Sequence, residues 1–296
     1  EDGTLLAGGG KVLVSLPRDF KGTSYTVPDG VETISDYLFY KNTTITSVTL
    51  PASLKKIGTA AFQGCTKLTS IALPDGFTTL GEHAFDGCSG LRTVTFGQSL
   101  TAVPAYAFSN CSALTAVDLP ATVETVGDYA FRGCAKATAL SLKEGLTSIG
   151  VKAFYFCEAL EGDLVIPEGV TSLSAGIFYN AYALTSITIP DTVTSMDANG
   201  DQFANCTAVT SVTLSKNLTE LPKTAFFTCK SLKHLPDLSN VTSVGTSCFA
   251  GCAALEEMVI PESLTFIGAN AFARSSLTEI TVLGDPTGLD SAFYNS

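Results

Sequence analysis

The chain has 296 residues, 45% of them apolar, with nine cysteines, no tryptophan and a formal charge of −11. That apolar share suffices for a continuous core, while the acid excess disfavours nucleic acid and anionic membrane surfaces, which are bound through clustered Lys and Arg. No apolar run approaches the ~18–20 residues of a spanning helix, so membrane insertion of these residues is not expected.

In chain order, no secretory-signal pattern opens the sequence. It reads as a mature fragment, with export and anchoring segments removed or lying outside it. Residues 3–16, GTLLAGGGKVLVSL, read as two strands around Gly8-Gly9-Gly10. This is a hairpin, placed at the N-terminal end within a cap of residues 1–22. Gly8 to Lys11 superficially matches a phosphate loop, but the first Gly is missing at the required distance and Val12 stands where Ser or Thr is needed.

From residue 23 a period takes over. Phe39, Phe62, Phe85, Phe108, Phe131, Phe154, Phe178, Phe203, Phe226, Phe249, Phe272 and Phe293 recur at intervals of 23 residues, with departures of 24, 25 and a final 21. A fixed period in this range means a stacked solenoid. The clean unit reads L-T-S-I-x-L-P-x-x-h-T-x-h-G-x-x-A-F-x-G-C, where h is apolar. Leu68, Ile71 and Leu73 illustrate its strand, whose last two apolar residues alternate as an inward face requires. Pro28, Pro51, Pro74, Pro120, Pro167, Pro190 and Pro261 end the strand, because Pro cannot donate to a ladder. A short apolar pair such as Leu54/Ile57 follows, then Gly58, Gly81, Gly127, Gly150, Gly245 or Gly268, where a sharp turn is expected. The closing segment, GTAAFQGC in one coil, has the length of a single helical or 3-10 turn with Ala and Phe inward. Residues 1–296 are thus expected to form one domain, the cap plus about eleven coils and a truncated twelfth over 23–296. At ~4.8 Å per coil the stack would be about 50 Å long.

Three defects interrupt the pattern. Glu161-Gly162-Asp163 adds one residue, Asp197 to Asp201 adds two, and Leu235-Pro236-Asp237 brings a proline one place early. Insertions in solenoids map to outer loops, which are either functional or neutral. No cap pattern closes the C-terminus, so the array is expected to continue past Ser296 or to pack that end on something.

The run LTSIALPDGFTTLGEHAFDGC and its copies resemble the BspA-like (Treponema-type) leucine-rich repeats of bacterial surface proteins, as does the opening DGTLLAGGGKVLVSLP. The resemblance covers essentially the whole chain. It implies an α/β repeat solenoid: a right-handed superhelix with a parallel sheet on the concave face and short helical turns and short strands on the convex side. It further implies secreted or surface-attached proteins, some of which bind host matrix proteins or other cells, and it supplies no catalytic residues. The closing Cys is replaced by Asn42, Ala181, Ser275 and Ser296 in four coils.

Cys65, Cys88, Cys111, Cys134, Cys157, Cys206, Cys229 and Cys252 all follow a repeat Phe by three residues, and Cys248 precedes Phe249. Neighbouring coils place equivalent residues ~4.8 Å apart, within the Cα range of a disulfide. Equivalent side chains point in parallel, however, whereas a bridge needs them to converge. Cys is also a habitual small core residue. Free buried thiols are expected, and no metal site, since zinc ligands must meet at one point. Only His83 and His234 exist, far apart in a linear stack, so no Ser-His-Asp or Cys-His arrangement forms around both. Asp197, Asn199 and Asp201 around Gly200 offer alternate oxygens for calcium, although the EF-hand order is not met and the same residues make ordinary turns.

The binding candidates are aromatic. His83, Tyr106 and Tyr129 share the slot two before the Phe; Tyr155 and Tyr179 share the slot one after it, with Phe156 and Tyr182 beside them. Tyr clusters are common at recognition surfaces, and equally their rings could simply cover the closing segments. The strand wall is mostly Thr and Ser and gains His234, Glu256 and Glu257 toward the C-terminus. Such a wall suits a protein or glycan partner, or plain solvation. The chain is accordingly read as a monomeric, non-enzymatic module without cofactors. It is expected to be secreted or on the cell surface and adhesive toward a host or neighbouring-cell macromolecule. The alternative is a spacer that displays another domain.

Overall fold

A computed structural model describes residues 4–17 and 20–294. Contacts gather into two compact units, Glu1–Leu146 and Thr147–Ser296. Both are parallel β-solenoids.

In the first unit, Leu5–Ala7 and Val12–Ser15 form the expected antiparallel hairpin, turned through Gly8, Gly9 and Gly10, all at positive φ. The hairpin extends the sheet made by the short apolar pairs. Val12–Ser15 runs parallel to Thr33–Ile34, followed by Lys56–Ile57 and Thr79–Leu80, with Ile34, Ile57 and Leu80 in register. A second sheet holds the longer strands Ser24–Thr26, Ser47–Thr49, Ser70–Ala72 and Thr93–Thr95, and a two-stranded sheet joins Ala116–Asp118 to Ala139–Ser141. Their central residues, such as Ile71 and Val117, are buried and the flanking Thr, Ser and Ala face out. Where a proline follows the strand its carbonyl closes a tight turn, as in Leu54 N to Pro51 O and Phe77 N to Pro74 O.

The closing segments differ from the helical turn expected of them. Among the described residues the single helical stretch is one 3-10 turn, Leu289–Ser291. The reason lies in where the N–H groups go. Tyr106 N, Phe108 N and Asn110 N donate to Asp128 O, Ala130 O and Arg132 O of the next coil. Every second amide in the segment therefore pairs between coils, and no i to i−4 ladder can form. Two residues four apart in the segment take left-handed backbone to aim those amides, Tyr106 at φ 57 and Asn110 at φ 57. The slot-glycines also have a different cause from the turn expected. Gly127 and Gly245 have ordinary φ, but a Cβ on Gly127 would lie 2.6 Å from Ala105 N, and one on Gly245 2.5 Å from Lys223 N. Close backbone approach between coils, rather than turning, excludes a side chain there.

The repeat Phe form the core row. In the first unit Phe39, Phe62, Phe85, Phe108 and Phe131 stack at 4.7–5.3 Å between centroids with planes 3–9° apart. Each is at most 1% exposed, a burial worth roughly 1.5–3 kcal/mol per ring. All nine cysteines are buried and outside any disulfide, as expected. The slot thiols also act as donors. Cys65, Cys88 and Cys111 give their Sγ–H to the carbonyls of Phe39, Phe62 and Phe85 in the preceding coil, at 3.0–3.2 Å. Asn42 in the same slot instead accepts Thr44 N and Ile45 N at 3.0 Å, and Ser275 donates to Phe272 O at 2.8 Å. Ser296 lies outside the described residues.

In the second unit the rings from Phe154 to Phe293 stack at 5.1–6.0 Å with planes 4–18° apart. Its defects are local. Strand Glu161–Val165 slips register against Ala183–Thr188, so Gly162 faces Leu184 and Asp163 faces Ser186. The Asp163 carboxylate accepts Ser186 Oγ at 2.6 Å and Thr185 Oγ1 at 3.1 Å across the slip, which holds its pKa below the usual carboxylate value. The two-residue insertion folds as a turn in which Asn199 N donates to Asp197 Oδ1 at 2.8 Å. Buried Gln202 ties this turn down through Nε2 to Asp197 O at 3.0 Å. The early proline has the largest effect. Residues 230–238 carry no strand, and the long-strand sheet breaks into Glu161–Val165, Ala183–Thr188, Ser211–Thr213 on one side and Glu257–Ile260, Glu279–Val282 on the other.

Candidate binding surface

In the first unit His83, Tyr106 and Tyr129 form an outer stack. Their centroids lie 4.6 and 4.9 Å apart with planes 6° and 8° off parallel. The left-handed backbone at each, φ 55, 57 and 55, sends the ring outward while the amide of His83 or Tyr106 binds the next coil. All three are half-buried. Asp86 anchors the first ring, its Oδ2 lying 3.1 Å from His83 Nδ1 and accepting Gln63 Nε2 at 2.9 Å. Tyr37 occupies the same slot one coil beyond Ala60 and was legible two residues before Phe39. It is 58% exposed and meets Tyr40 edge to face at 5.7 Å.

In the second unit Tyr155 and Tyr179 stack at 4.8 Å and 20°. Phe156 sits edge-on to both, at 4.5 Å from Tyr155 and 6.1 Å from Tyr179. The Lys152 ammonium lies 5.1 Å from the Tyr155 centroid, a cation–π distance. Tyr182 completes the group. Partial burial, with the Glu158 carboxylate and Tyr179 nearby, pushes its phenol pKa up. Four aromatic side chains and a cation thus converge on one half-exposed area, which is the composition of interface anchors.

The break in the long-strand sheet leaves a cleft of about 380 Å³. His234, Leu235, Pro236 and Asp237 line one side, and Glu257, Val259, Glu279 and Thr281 the other. Glu257 and Glu279 sit side by side in register. Asp237 accepts Ser239 N at 2.9 Å, and this hydrogen bond lowers its pKa. Glu256 is exposed but stands outside the cleft, just before the strand. Elsewhere the Thr wall is less available than its composition suggests. Thr46, Thr69, Thr115 and Thr210 give their hydroxyls to main-chain carbonyls of the preceding coil at 2.8–3.2 Å.

No group of three or more His, Cys, Asp or Glu able to hold a metal ion occurs among the described residues. No described helix is long and apolar enough to cross a membrane. His83 belongs to the first unit and His234 to the second.

The family model for BspA type leucine-rich repeat regions matches residues 19–136, 91–200 and 171–296. A solved leucine-rich repeat protein from Bacteroides ovatus is similar in fold, with 24% identity and a TM-score of 0.74 over 95% of this chain and 77% of its own. A leucine-rich cell surface protein from Faecalibacterium prausnitzii shares 24% identity at a TM-score of 0.53, covering 99% of this chain and 96% of its own. The pneumococcal vaccine antigen PcpA shares 22% identity at a TM-score of 0.60, covering 96% of this chain and 72% of its own. No curated protein sequence matches the chain.

Proposed function

Because the chain belongs to the BspA type leucine-rich-repeat family, we propose that it is a non-enzymatic binding module of the cell exterior, monomeric and adhesive toward a host or neighbouring-cell macromolecule. The exterior location is supported by the relatives described as a cell surface protein and a vaccine antigen. One observation carries the binding role: Tyr155, Phe156, Tyr179 and Tyr182 gather beside Lys152 on a half-exposed patch. Stacking stabilises the rings in either role, but four of them with a cation on a half-exposed area have the composition of a docking anchor. A protein surface or the face of a glycan fits this chemistry. The cleft at His234 and Glu257 offers a second, acidic contact for the same partner.

The test is adhesion of the purified chain to immobilised matrix proteins, glycans and cells, parent against the Tyr155→Ala/Tyr179→Ala variant. A loss of binding by about tenfold or more is expected, the usual cost of two interface anchors. Unchanged adhesion moves the contact off this patch. Absent adhesion in the parent favours the spacer reading, which draws on the inward use of the Thr hydroxyls along the wall.

A further inference from the structure

A row of side chains directly after the buried repeat Phe runs along the closing turns of the second unit. Where neighbours in this row are both aromatic they stack, as Tyr155 and Tyr179 do at 4.8 Å. Farther along, Phe227 and Tyr294 occupy the same row, and the two coils between them carry Ala250 and Ala273. Three coil steps of ~4.8 Å separate the flanking rings, so two ring layers are missing. What remains is a cavity of about 290 Å³, floored by the alanines, ended by Phe227 and Tyr294, and edged by Asn270 and Arg274. Arg274 is exposed and forms no ion pair with a carboxylate among the described residues.

We propose that this slot binds a small planar aromatic carboxylate. The row already selects flat rings at coil spacing, and two vacant layers between aromatic ends repeat that environment for a guest. The alanine floor supplies apolar contact without filling the space. The Arg274 guanidinium supplies a fork of donors matched to a carboxylate, and the Asn270 amide can add a further bond. A sugar would need polar partners around its whole rim, which this edge does not provide. The site shares no residue with the Tyr155–Tyr182 patch, so it stands or falls independently of the adhesive role.

The chain contains no tryptophan, so the fluorescence anisotropy of indole-3-acetate can be followed on the full chain without indole background. Saturable binding at one site is expected. Ala250→Phe places the chain's own ring in the vacancy and should abolish binding while leaving the circular dichroism spectrum unchanged. Should that variant fail to fold, Phe227→Ala with Tyr294→Ala removes both ends and should weaken binding instead. Arg274→Gln should weaken indole-3-acetate about tenfold, the loss of a charge-assisted pair, and leave the neutral indole-3-acetamide unaffected. The proposal is overturned by a parent that shows no saturable binding at millimolar probe, by a folded Ala250→Phe that binds like the parent, or by an Arg274→Gln effect equal for both probes.

Discussion

The two units use one coil and differ in how strictly they keep to it. In residues 1–146 every interval between repeat Phe is 23, and the rings stack no farther than 5.3 Å apart. In residues 147–296 the intervals include 24, 25 and 21, and the Phe178–Phe203 pair, which spans the two-residue insertion, opens to 6.0 Å. The core row survives the insertions because the extra residues leave through a register slip at Gly162 and a surface turn at Asp197. The outer wall does not survive them unchanged. The clefts at His234 and between Phe227 and Tyr294 both lie in the irregular unit. Regularity preserves the interior, and departures from it create surface with shape.

The strongest test of this contrast is deletion of a ring. Phe108→Ala, in the tight row, should cost about 3–5 kcal/mol by urea unfolding, and Phe203→Ala, beside the opened pair, should fall at or below the lower end. Equal losses would mean that ring spacing carries no energy. Next come the glycines. Gly127→Ala and Gly245→Ala both drive a Cβ into a neighbouring main chain, at 2.6 and 2.5 Å, so about 2–3 kcal/mol is expected for each. A marked difference between them would show that the turn frame is not shared by the two units.

Alkaline pH should act through the thiols. Burial raises the pKa of Cys206 and Cys252 to about 12, above ~8.5 in an unfolded chain. The folded state therefore holds the proton more tightly. Its advantage is complete below about pH 8.5 and falls as pH rises toward 12, by about 1.4 kcal/mol per pH unit per thiol. Cys206→Ala should flatten the pH dependence of the melting temperature, and an unchanged slope would contradict the burial argument. The smallest effect has the opposite sign. Ala60 is held at φ 51, and Ala60→Gly should raise stability by up to about 1 kcal/mol, the left-handed penalty relieved less the entropy glycine adds.

Much of the interior was legible from spacing alone. The repeat Phe, eight of the nine Cys and the strand-ending Pro each keep to one slot, and each does there what its chemistry suggests. The closing segments were misread as helical because local composition, Ala and Phe in a short run, says nothing of where the amides bond. The signal was present in Gly64, Gly87, Asn110, Gly133, Asn205 and Gly251, one slot filled mainly by the residues that tolerate positive φ. The slot-glycines were placed correctly but explained by turning, because contact with a neighbouring main chain is invisible in a single coil. The aromatic stacks followed directly from the period. The slot between Phe227 and Tyr294 did not, because an alanine announces a vacancy only once the rings on either side of it are known.

The main-chain hydrogen bonds between coils of the first unit join residues about one repeat apart, as from Phe85 N to Ala107 O, from Arg92 N to Thr69 O and from Gly81 N to Ile57 O. Any excision or copying of 23 residues between Phe62 and Phe131 therefore rejoins strand to strand and ring to ring in phase. A recombination event that would wreck an ordinary domain merely shortens or lengthens this one by a coil. The size of the molecule is thus free to vary between lineages in fixed increments, and its reach can be inherited separately from the design of its interior.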